Sequence, residues 1–186
     1  MTEIVPLLIG ENLYLRALAE SDADGAYPSW FNDQESCAGN SHGVFPYARD
    51  NALAYIRHAH ETRDELILAV VTRDGNKHVG NVALQHIHPI YRCAEFSIVL
   101  GERQCRGKGY GLEAARLICA HGFDALNLHR IACGTFAGNA AMIGLAGALG
   151  MKREGVRRQA AFKAGSYIDV VEFGMLKDEF MTREPK

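Results

Sequence analysis

Long hydrophobic runs are missing from this sequence. No apolar stretch among its 186 residues approaches the ~20 residues that a membrane-spanning helix needs. The segment from Met1 to Pro6 has no basic region ahead of an apolar core, so no signal peptide is predicted. We therefore expect a cytoplasmic protein that does not bind a membrane.

An excess of charge of either sign is also missing. The chain has 20 basic and 22 acidic residues, which leave a formal net charge of −2 at neutral pH. Such a balance creates no overall field that attracts nucleic acid or an anionic lipid surface. Nucleic acid is therefore not expected as a partner.

Cysteine is scarce, and its spacing argues against two kinds of scaffold. The five cysteines are odd in number and include no C-x-x-C pair, so neither a disulfide framework nor a structural zinc site is predicted. His86 and His88 would share one face of a strand, but no third ligand follows at a recognisable spacing, and no metal is expected. Cys105 has no evident partner histidine, which argues against a nucleophilic role.

The sequence does contain alternating strands and helices without a repeat or a linker, which predicts one continuous domain over residues 1–186. Apolar patterning predicts about seven strands, over residues 12–18, 66–72, 79–88, 94–100, 130–136, 151–161 and 167–176. About four helices are predicted: from Ser21 toward Phe31, from Asp50, over 111–126, and from Asn139 to Gly150. This order indicates a mixed α+β fold with a mostly antiparallel sheet.

The most informative segment is a glycine-rich loop between the predicted fourth strand and the long helix. It reads Gln104-Cys105-Arg106-Gly107-Lys108-Gly109-Tyr110-Gly111. Its glycines allow a close approach of the backbone to a ligand, and the helix start offers unpaired N–H groups and a positive dipole end. No Ser, Thr, Asp or Asn between Arg103 and Leu112 can cap these groups, and three cations lie beside them. The loop therefore predicts a pyrophosphate site.

Two other phosphate-binding motifs fit this loop poorly. A Walker loop would need Ser or Thr after Lys108, and its glycine spacing differs by one residue. A dinucleotide fingerprint would open a parallel βαβ unit early in the chain, whereas this loop follows antiparallel strands.

The loop, read as Gln-x-x-Gly-x-Gly, resembles that of the GCN5-related N-acetyltransferases (GNAT). Residues 138–143 and 149–155 look like the Asn-helix-Gly-Phe segment of that family, with Met151 where Phe is usual. Residues 30–33 and 165–169 are similar to the branch of ribosomal-protein-alanine, polyamine and nucleotide-sugar acetyltransferases. The resemblance covers nearly the whole chain. It implies the GNAT fold, in which the sheet splays between the fourth and fifth strands.

The resemblance also implies acetyl-CoA as co-substrate, without a metal. The fourth strand would bind pantetheine and the thioester carbonyl, the loop amides would hold the pyrophosphate, and Asn139 would contact the cofactor arm as well as cap its helix. The implied cofactor-binding residues are Ile98, Val99, Leu100, Gln104, Cys105, Arg106, Gly107, Lys108, Gly109, Tyr110, Gly111 and Asn139.

The chemistry of amine acetylation points to a base. An alkyl amine with a pKa near ~10.4 is mostly protonated at neutral pH, and producing the neutral form costs roughly 4–5 kcal/mol. A positioned base recovers a factor of ~10²–10⁴. Glu95, five residues before the thioester-binding end of its strand, is the candidate, and the alternative is an ion-paired or solvent-facing carboxylate. Trp30, Tyr47 and Tyr167 are candidate substrate residues, with core packing as the alternative for Trp30 and Tyr47.

Two hydroxyl groups that the resemblance leads one to expect are absent. Many family members have Tyr seven residues after the conserved Asn, and ribosomal-protein members tend to have Ser three residues after it. These positions are Ala146 and Met142. The proton donor to the leaving thiolate is therefore unassigned, with Tyr110 and Tyr167 as fallback hydroxyls.

The function predicted from the sequence is acetyl transfer from acetyl-CoA to a primary amine of a small molecule or a nucleotide-linked amino sugar. One alternative is acetylation of the α-amino terminus of a protein, such as a ribosomal protein. The other alternative is a module that binds acyl-CoA without catalysis, which the missing hydroxyls favour. Homodimers are common in the family.

Overall fold

The computed structural model describes residues 5–182. Its strands are β1 (Leu8–Ile9), β2 (Leu13–Ala17), β3 (Leu66–Thr72), β4 (His78–His88), β5 (Cys93–Leu100), β6 (Arg130–Phe136), β7 (Lys152–Lys163) and β8 (Ser166–Leu176). Its α-helices are α1 (Tyr27–Trp30), α2 (Gln34–Cys37), α3 (Arg49–Glu61), α4 (Tyr110–Asp124), α5 (Ala140–Leu149) and α6 (Lys177–Met181), and 3-10 turns lie at Glu20–Asp24 and Arg103–Cys105. The segment used to judge a signal peptide begins at residues 1–4, which lie outside the described part.

The strands form one sheet in the order β1-β2-β3-β4-β5-β6-β8-β7. Every neighbouring pair is antiparallel except β5 and β6, which are parallel. The predicted α+β class and mostly antiparallel sheet are confirmed. The eighth strand is the short β1, whose two residues are too few to show an alternating pattern.

Two hydrophobic clusters cover opposite faces of this sheet. Leu68 belongs to the cluster that contains Ile118 and Phe123 of α4. Its neighbour Ala69 belongs to the cluster that contains Ile56 of α3. Successive residues of a strand point to opposite faces, so α4 and α3 pack on different sides of the sheet.

The alternation of buried and exposed residues in β2 breaks at its end. Ala17 is exposed, whereas Arg16 is only 6% exposed. Arg16 is buried because Asp22 accepts two hydrogen bonds from its guanidinium, at 2.8 and 2.7 Å. Asp22 is thus a buried counter-ion. It also accepts a hydrogen bond from the Ala19 N–H at 2.8 Å.

The parallel pair β5–β6 separates part of the way along its length. Only Cys93, Ala94 and Glu95 pair with β6, although β5 continues to Leu100. This separation is the predicted splay between the fourth and fifth strands of the sequence-based numbering, which are β5 and β6. Within residues 5–182, no helix has both the length and the apolar character to cross a bilayer.

Candidate active site

A cleft of about 840 Å³ lies where β5 and β6 part. We call the portion next to residues 106–112 and α5 the cofactor half. The acceptor half is the portion lined by aromatic side chains, which are Tyr27, Phe31, His42, Tyr47 and Tyr55. The exposed end of β5, left unpaired by β6, lies between the two halves.

The glycine-rich loop presents a row of free backbone donors to the cofactor half. The N–H groups of residues 107–112 make no backbone hydrogen bond within the described residues, and Gly109, the N-cap residue of α4, provides no side-chain cap. Gly107 and Gly109 have φ values of 74° and 84°, and a Cβ on either would meet nothing within 4 Å. Free donors, an open approach and a helix N-terminus together fit a pyrophosphate.

Not every residue of the loop is available for this role. The Cys105 and Arg106 amides donate to Glu102 and Arg103 carbonyls, at 3.0 and 3.1 Å, in a 3-10 turn. The Cys105 side chain is buried in the core, and Gln104 donates to Glu102 instead of lining the cleft. The free donors therefore begin at Gly107, two residues later than the sequence indicates.

The three cations beside the loop have different surroundings. Arg103 forms ion pairs with Asp33 and Glu35, at 2.8 and 2.6 Å, and so faces α2. Arg106 lines the cleft and donates to the Leu100 carbonyl and the Ser36 hydroxyl, at 3.2 and 2.7 Å. Lys108 is exposed, and no partner is recorded for it within residues 5–182. Of the three, Arg106 is the cation that lines the cleft, and Lys108 is the one without an ion pair among residues 5–182.

A substitution at Gly109 tests the loop geometry. We expect Gly109→Ala to weaken CoA binding about 5- to 30-fold, because a φ of 84° costs an L-residue roughly 1–2 kcal/mol. The added methyl meets no neighbour, so the effect isolates backbone strain. Isothermal calorimetry with CoA measures the change. Gly147→Ala, on the exposed side of α5, is the matched control, and equal affinity losses in both variants would contradict the expectation.

At the end of β5, every second residue directs its backbone N–H and C=O groups toward the cleft. The Leu100 carbonyl is turned away from β4, since it accepts from Arg106 Nε. Alternate residues of an antiparallel strand turn the same way, so Ile98 also directs its backbone groups to the opening. Gly101 donates to the Val79 carbonyl of β4 at 3.0 Å, and Val99 turns the same way as Gly101. Ile98 and Leu100 are therefore placed for the predicted thioester contact, and Val99 contributes its side chain.

Asn139 lies at the predicted start of α5, and both its amide oxygen and its amide nitrogen form hydrogen bonds. Oδ1 accepts from the Met142 N–H at 3.1 Å, which is the predicted helix cap. Nδ2 donates to the Gly39 carbonyl at 2.9 Å and ties α5 to the loop after α2. Asn139 lines the cleft, and its predicted contact with the cofactor arm stays a prediction.

Glu95 is the last residue of β5 that pairs with β6, and it lines the cleft at the point where the strands part. Its side chain is 48% exposed, and Oε2 lies 3.3 Å from His86 Nδ1. His86 reaches it from a bulge of β4, where its φ is 52°. The position suits a base, and the ion-paired alternative also has a partner in His86.

The predicted substrate residues separate into two groups. Tyr47 lines the acceptor half, 3.3 Å from the Tyr27 hydroxyl. Trp30 is only 4% exposed and packs in the core, close enough to Gly101 that a Cβ there would lie 2.0 Å from the indole. Tyr167 is 69% exposed on the β7–β8 hairpin beside Phe162 and does not line the cleft. The structure thus corrects Trp30 and Tyr167 as substrate residues.

The hydroxyls suggested for the leaving group are not in the cleft either. Tyr110, the first residue of α4, packs against the core and does not line the cleft. Ala146 is fully buried, and Met142 lines the cleft without a hydroxyl. The tyrosines that do line it stay protonated: burial raises the pKa of Tyr55 to about 12, and burial also raises the pKa of Tyr27 and Tyr47. Their raised pKa makes these phenols weaker acids than an ordinary tyrosine.

Sequence reasoning missed several residues of the acceptor half, mainly Tyr27, Tyr55, Asn81 and His42. Tyr55 lies on α3 and His42 on an irregular loop, and neither position carries a recognisable motif. Asn81 was detectable in part, because it is the one polar residue in the segment 79–84, which is otherwise apolar. A buried amide in such a strand usually needs a specific partner.

A mixed sheet that opens between two parallel strands, with an uncapped glycine-lined helix start at the opening, defines a CoA-dependent acyltransferase. Residues 12–152 match the Acetyltransferase (GNAT) domain model, and the chain belongs to this family. The predicted fold and the predicted membership of the GNAT acetyltransferase family are confirmed.

Individual relatives agree with this assignment. The chain is 30% identical over 112 residues to an N-acetyltransferase of Bacillus licheniformis, covering 60% of this chain and 62% of the relative. It is 29% identical over 127 residues to the spermidine N(1)-acetyltransferase of Escherichia coli K12, covering 68% and 66%. The chain thus spans slightly less than two thirds of the length of both relatives.

A solved structure extends the comparison over the whole fold. The spermidine N-acetyltransferase of Vibrio cholerae, crystallised with CoA and spermine, superposes with a TM-score of 0.83 at 23% identity, covering 92% of this chain and 99% of that one. At this identity the likeness supports the fold alone.

Proposed function

We propose that this protein transfers the acetyl group of acetyl-CoA to a primary amine of a small molecule, the class in which a nucleotide-linked amino sugar also falls. The observation that supports this most strongly is the row of free N–H groups at residues 107–112 beside the opening between β5 and β6. From there the cleft continues to Glu95 and to the aromatic acceptor half. Its spermidine-acetylating relative also acts on a small amine.

The co-substrate supplies an activated acetyl group on sulfur. The N–H groups of residues 107–112 and Lys108 would hold its pyrophosphate, and the end of β5 would hold the pantetheine. In the reaction the amine nitrogen forms a bond to the acetyl carbonyl carbon, and the carbon–sulfur bond breaks to release the CoA thiolate. Glu95 takes the proton from the amine directly or through one water molecule.

Alignment of the two reactants supplies much of the acceleration. Holding amine and thioester in contact is worth roughly 7–11 kcal/mol, and donors to the carbonyl oxygen add ~3–4 kcal/mol. Both contributions come from backbone and shape, so they do not need the hydroxyls that are absent at Ala146 and Met142.

An amine panel tests the proposal directly. We expect thiol release from acetyl-CoA in the presence of small primary amines. A thiol-reactive dye measures the released CoA, and mass spectrometry confirms the acetylated product. Tight CoA binding without thiol release on any amine or peptide would contradict transfer and favour the non-catalytic module. Release only with peptides that have a free α-amino terminus would favour the protein acceptor.

A further inference from the structure

The acceptor half is built from aromatic rings that contact one another. Phe31 stands at its centre, with ring centroids 4.4 Å from His42, 4.8 Å from Tyr47 and 5.5 Å from Tyr27. Tyr27 and Tyr47 also share a hydroxyl contact at 3.3 Å. The rings form a continuous wall rather than separate surface side chains.

This wall is uncharged at neutral pH. Burial raises the pKa of Tyr27, Tyr47 and Tyr55, so the three phenols stay protonated. The removal of water around the His42 ring lowers its pKa, and the nearby positive charge of Lys163 lowers it further, although part of the ring is exposed. His42 is therefore mostly neutral at pH 7.

Few carboxylates are available to a cationic ligand. Among the described residues that line the cleft, the charged side chains are Glu35, Glu95 and Arg106. Glu35 forms an ion pair with Arg103 at 2.6 Å and lies 3.8 Å from Arg106. Glu95 is the remaining carboxylate, and the proposed reaction already assigns it to the reacting amine.

Asn81 supplies a hydrogen-bond donor that has no acceptor. It lines the cleft, is 8% exposed, and its Oδ1 contacts His78 Nε2 at 2.8 Å. Its Nδ2 is buried without a hydrogen bond of normal length and angle among residues 5–182. The Asn81 amide lies near the Tyr27 hydroxyl and partly offsets the rise in the pKa of Tyr27 that burial causes. The two groups do not have the geometry of a hydrogen bond. Buried donors of this kind are rare in native proteins and usually mark a missing partner.

We infer that the acceptor is a primary amine whose remaining body is uncharged, fits against aromatic rings, and carries an oxygen that accepts a hydrogen bond from Asn81 Nδ2. The inference rests on the proposed acetyl transfer and narrows its substrate class. Asn81 is then a specificity-determining residue.

A polycationic amine fits this half of the cleft less well. Its reacting ammonium can lie against the rings through a cation–π contact and near Glu95. A second ammonium would lose its water without gaining a free carboxylate, because Glu35 is neutralised by Arg103. The Asn81 donor also gives an ammonium group no acceptor.

Three alkyl amines of similar basicity test the inference on the intact chain: 4-(2-aminoethyl)benzamide, which carries a carbonyl oxygen, 2-phenylethylamine, which does not, and spermidine. We expect kcat/KM to fall in that order, with 4-(2-aminoethyl)benzamide at least about 10-fold above spermidine. Spermidine turned over as fast as, or faster than, the aromatic amines would overturn the inference while leaving acetyl transfer intact. No transfer to any amine would instead refute the proposed function.

Two substitutions of Asn81 test whether its side chain causes the preference among the three amines. Asn81→Leu is expected to lower kcat/KM for 4-(2-aminoethyl)benzamide about 10-fold, as loss of a buried hydrogen bond does, and to change that for 2-phenylethylamine less than 2-fold. Asn81→Asp keeps the oxygen near His78 but removes the donor, and is expected to shift the preference toward spermidine. Equal losses on all three amines, in whichever variant folds, would overturn the assignment of Asn81.

Discussion

Replacing Glu95 by Gln is expected to lower kcat by at least about 100-fold while changing CoA affinity less than 2-fold. The amide keeps the size and hydrogen-bonding reach of the side chain but cannot take a proton from the amine, which removes the ~10²–10⁴ contribution of a positioned base. Glu95 lines the cleft where β5 and β6 part, away from residues 107–112. Steady-state turnover and calorimetry with CoA measure the two quantities.

Glu61→Gln is the control for this substitution, because Glu61 is an exposed carboxylate on α3 outside the cleft. We expect this variant to keep full turnover. If Glu95→Gln also keeps full turnover, Glu95 is only an ion-pair partner of His86, and the base must be another group.

Replacing Asp22 by Asn is expected to destabilise the fold by about 3–5 kcal/mol. The change leaves the Arg16 guanidinium buried, at 6% exposure, without a counter-ion, and broken buried pairs cost about this much. Urea unfolding followed by the fluorescence of the single tryptophan measures the free energy of unfolding. Arg16→Met combined with Asp22→Leu removes both charges and is expected to recover most of the loss.

The Asp22 carboxylate also makes the stability of the fold depend on pH, and this stability falls as pH falls. Burial alone would raise the pKa of Asp22, but hydrogen bonds from Arg16, His78 and the Ala19 N–H outweigh it and hold the pKa well below its usual range. Its contribution is therefore complete above the unfolded-state pKa near ~3.9 and is lost as pH falls below it. Wild-type protein should lose stability between about pH 4 and 2 more steeply than the double variant, and parallel curves would contradict this.

The cofactor half was largely predictable from local sequence. An uncapped helix start after Gly107 and Gly109 depends on residue types and spacing that lie within a few positions of each other. Asn139 as the cap of α5 and Gly150 as its left-handed end follow from the same kind of local rule. Long-range ion pairs do not follow from such rules. Sequence reasoning therefore counted Arg103 among the cations beside the loop, although Asp33 and Glu35 form ion pairs with it.

The acceptor half was mostly unpredictable for the same reason. Tyr27, Tyr47 and Tyr55 come from three separate elements or loops, and only the packed fold brings their rings together. Trp30, the most conspicuous aromatic residue, packs on Gly101 instead, because α1 lies against the end of β5.

By itself, the sequence determined the order of strands and helices, the α+β class, the glycine-rich helix start and the family, since each depends on residues close together in the chain. The tertiary structure decided where β5 and β6 part, which cations are free, and which side chains form the acceptor half. Those features arise from contacts between residues far apart in the chain, whose partners are chosen by burial and packing rather than by neighbouring sequence.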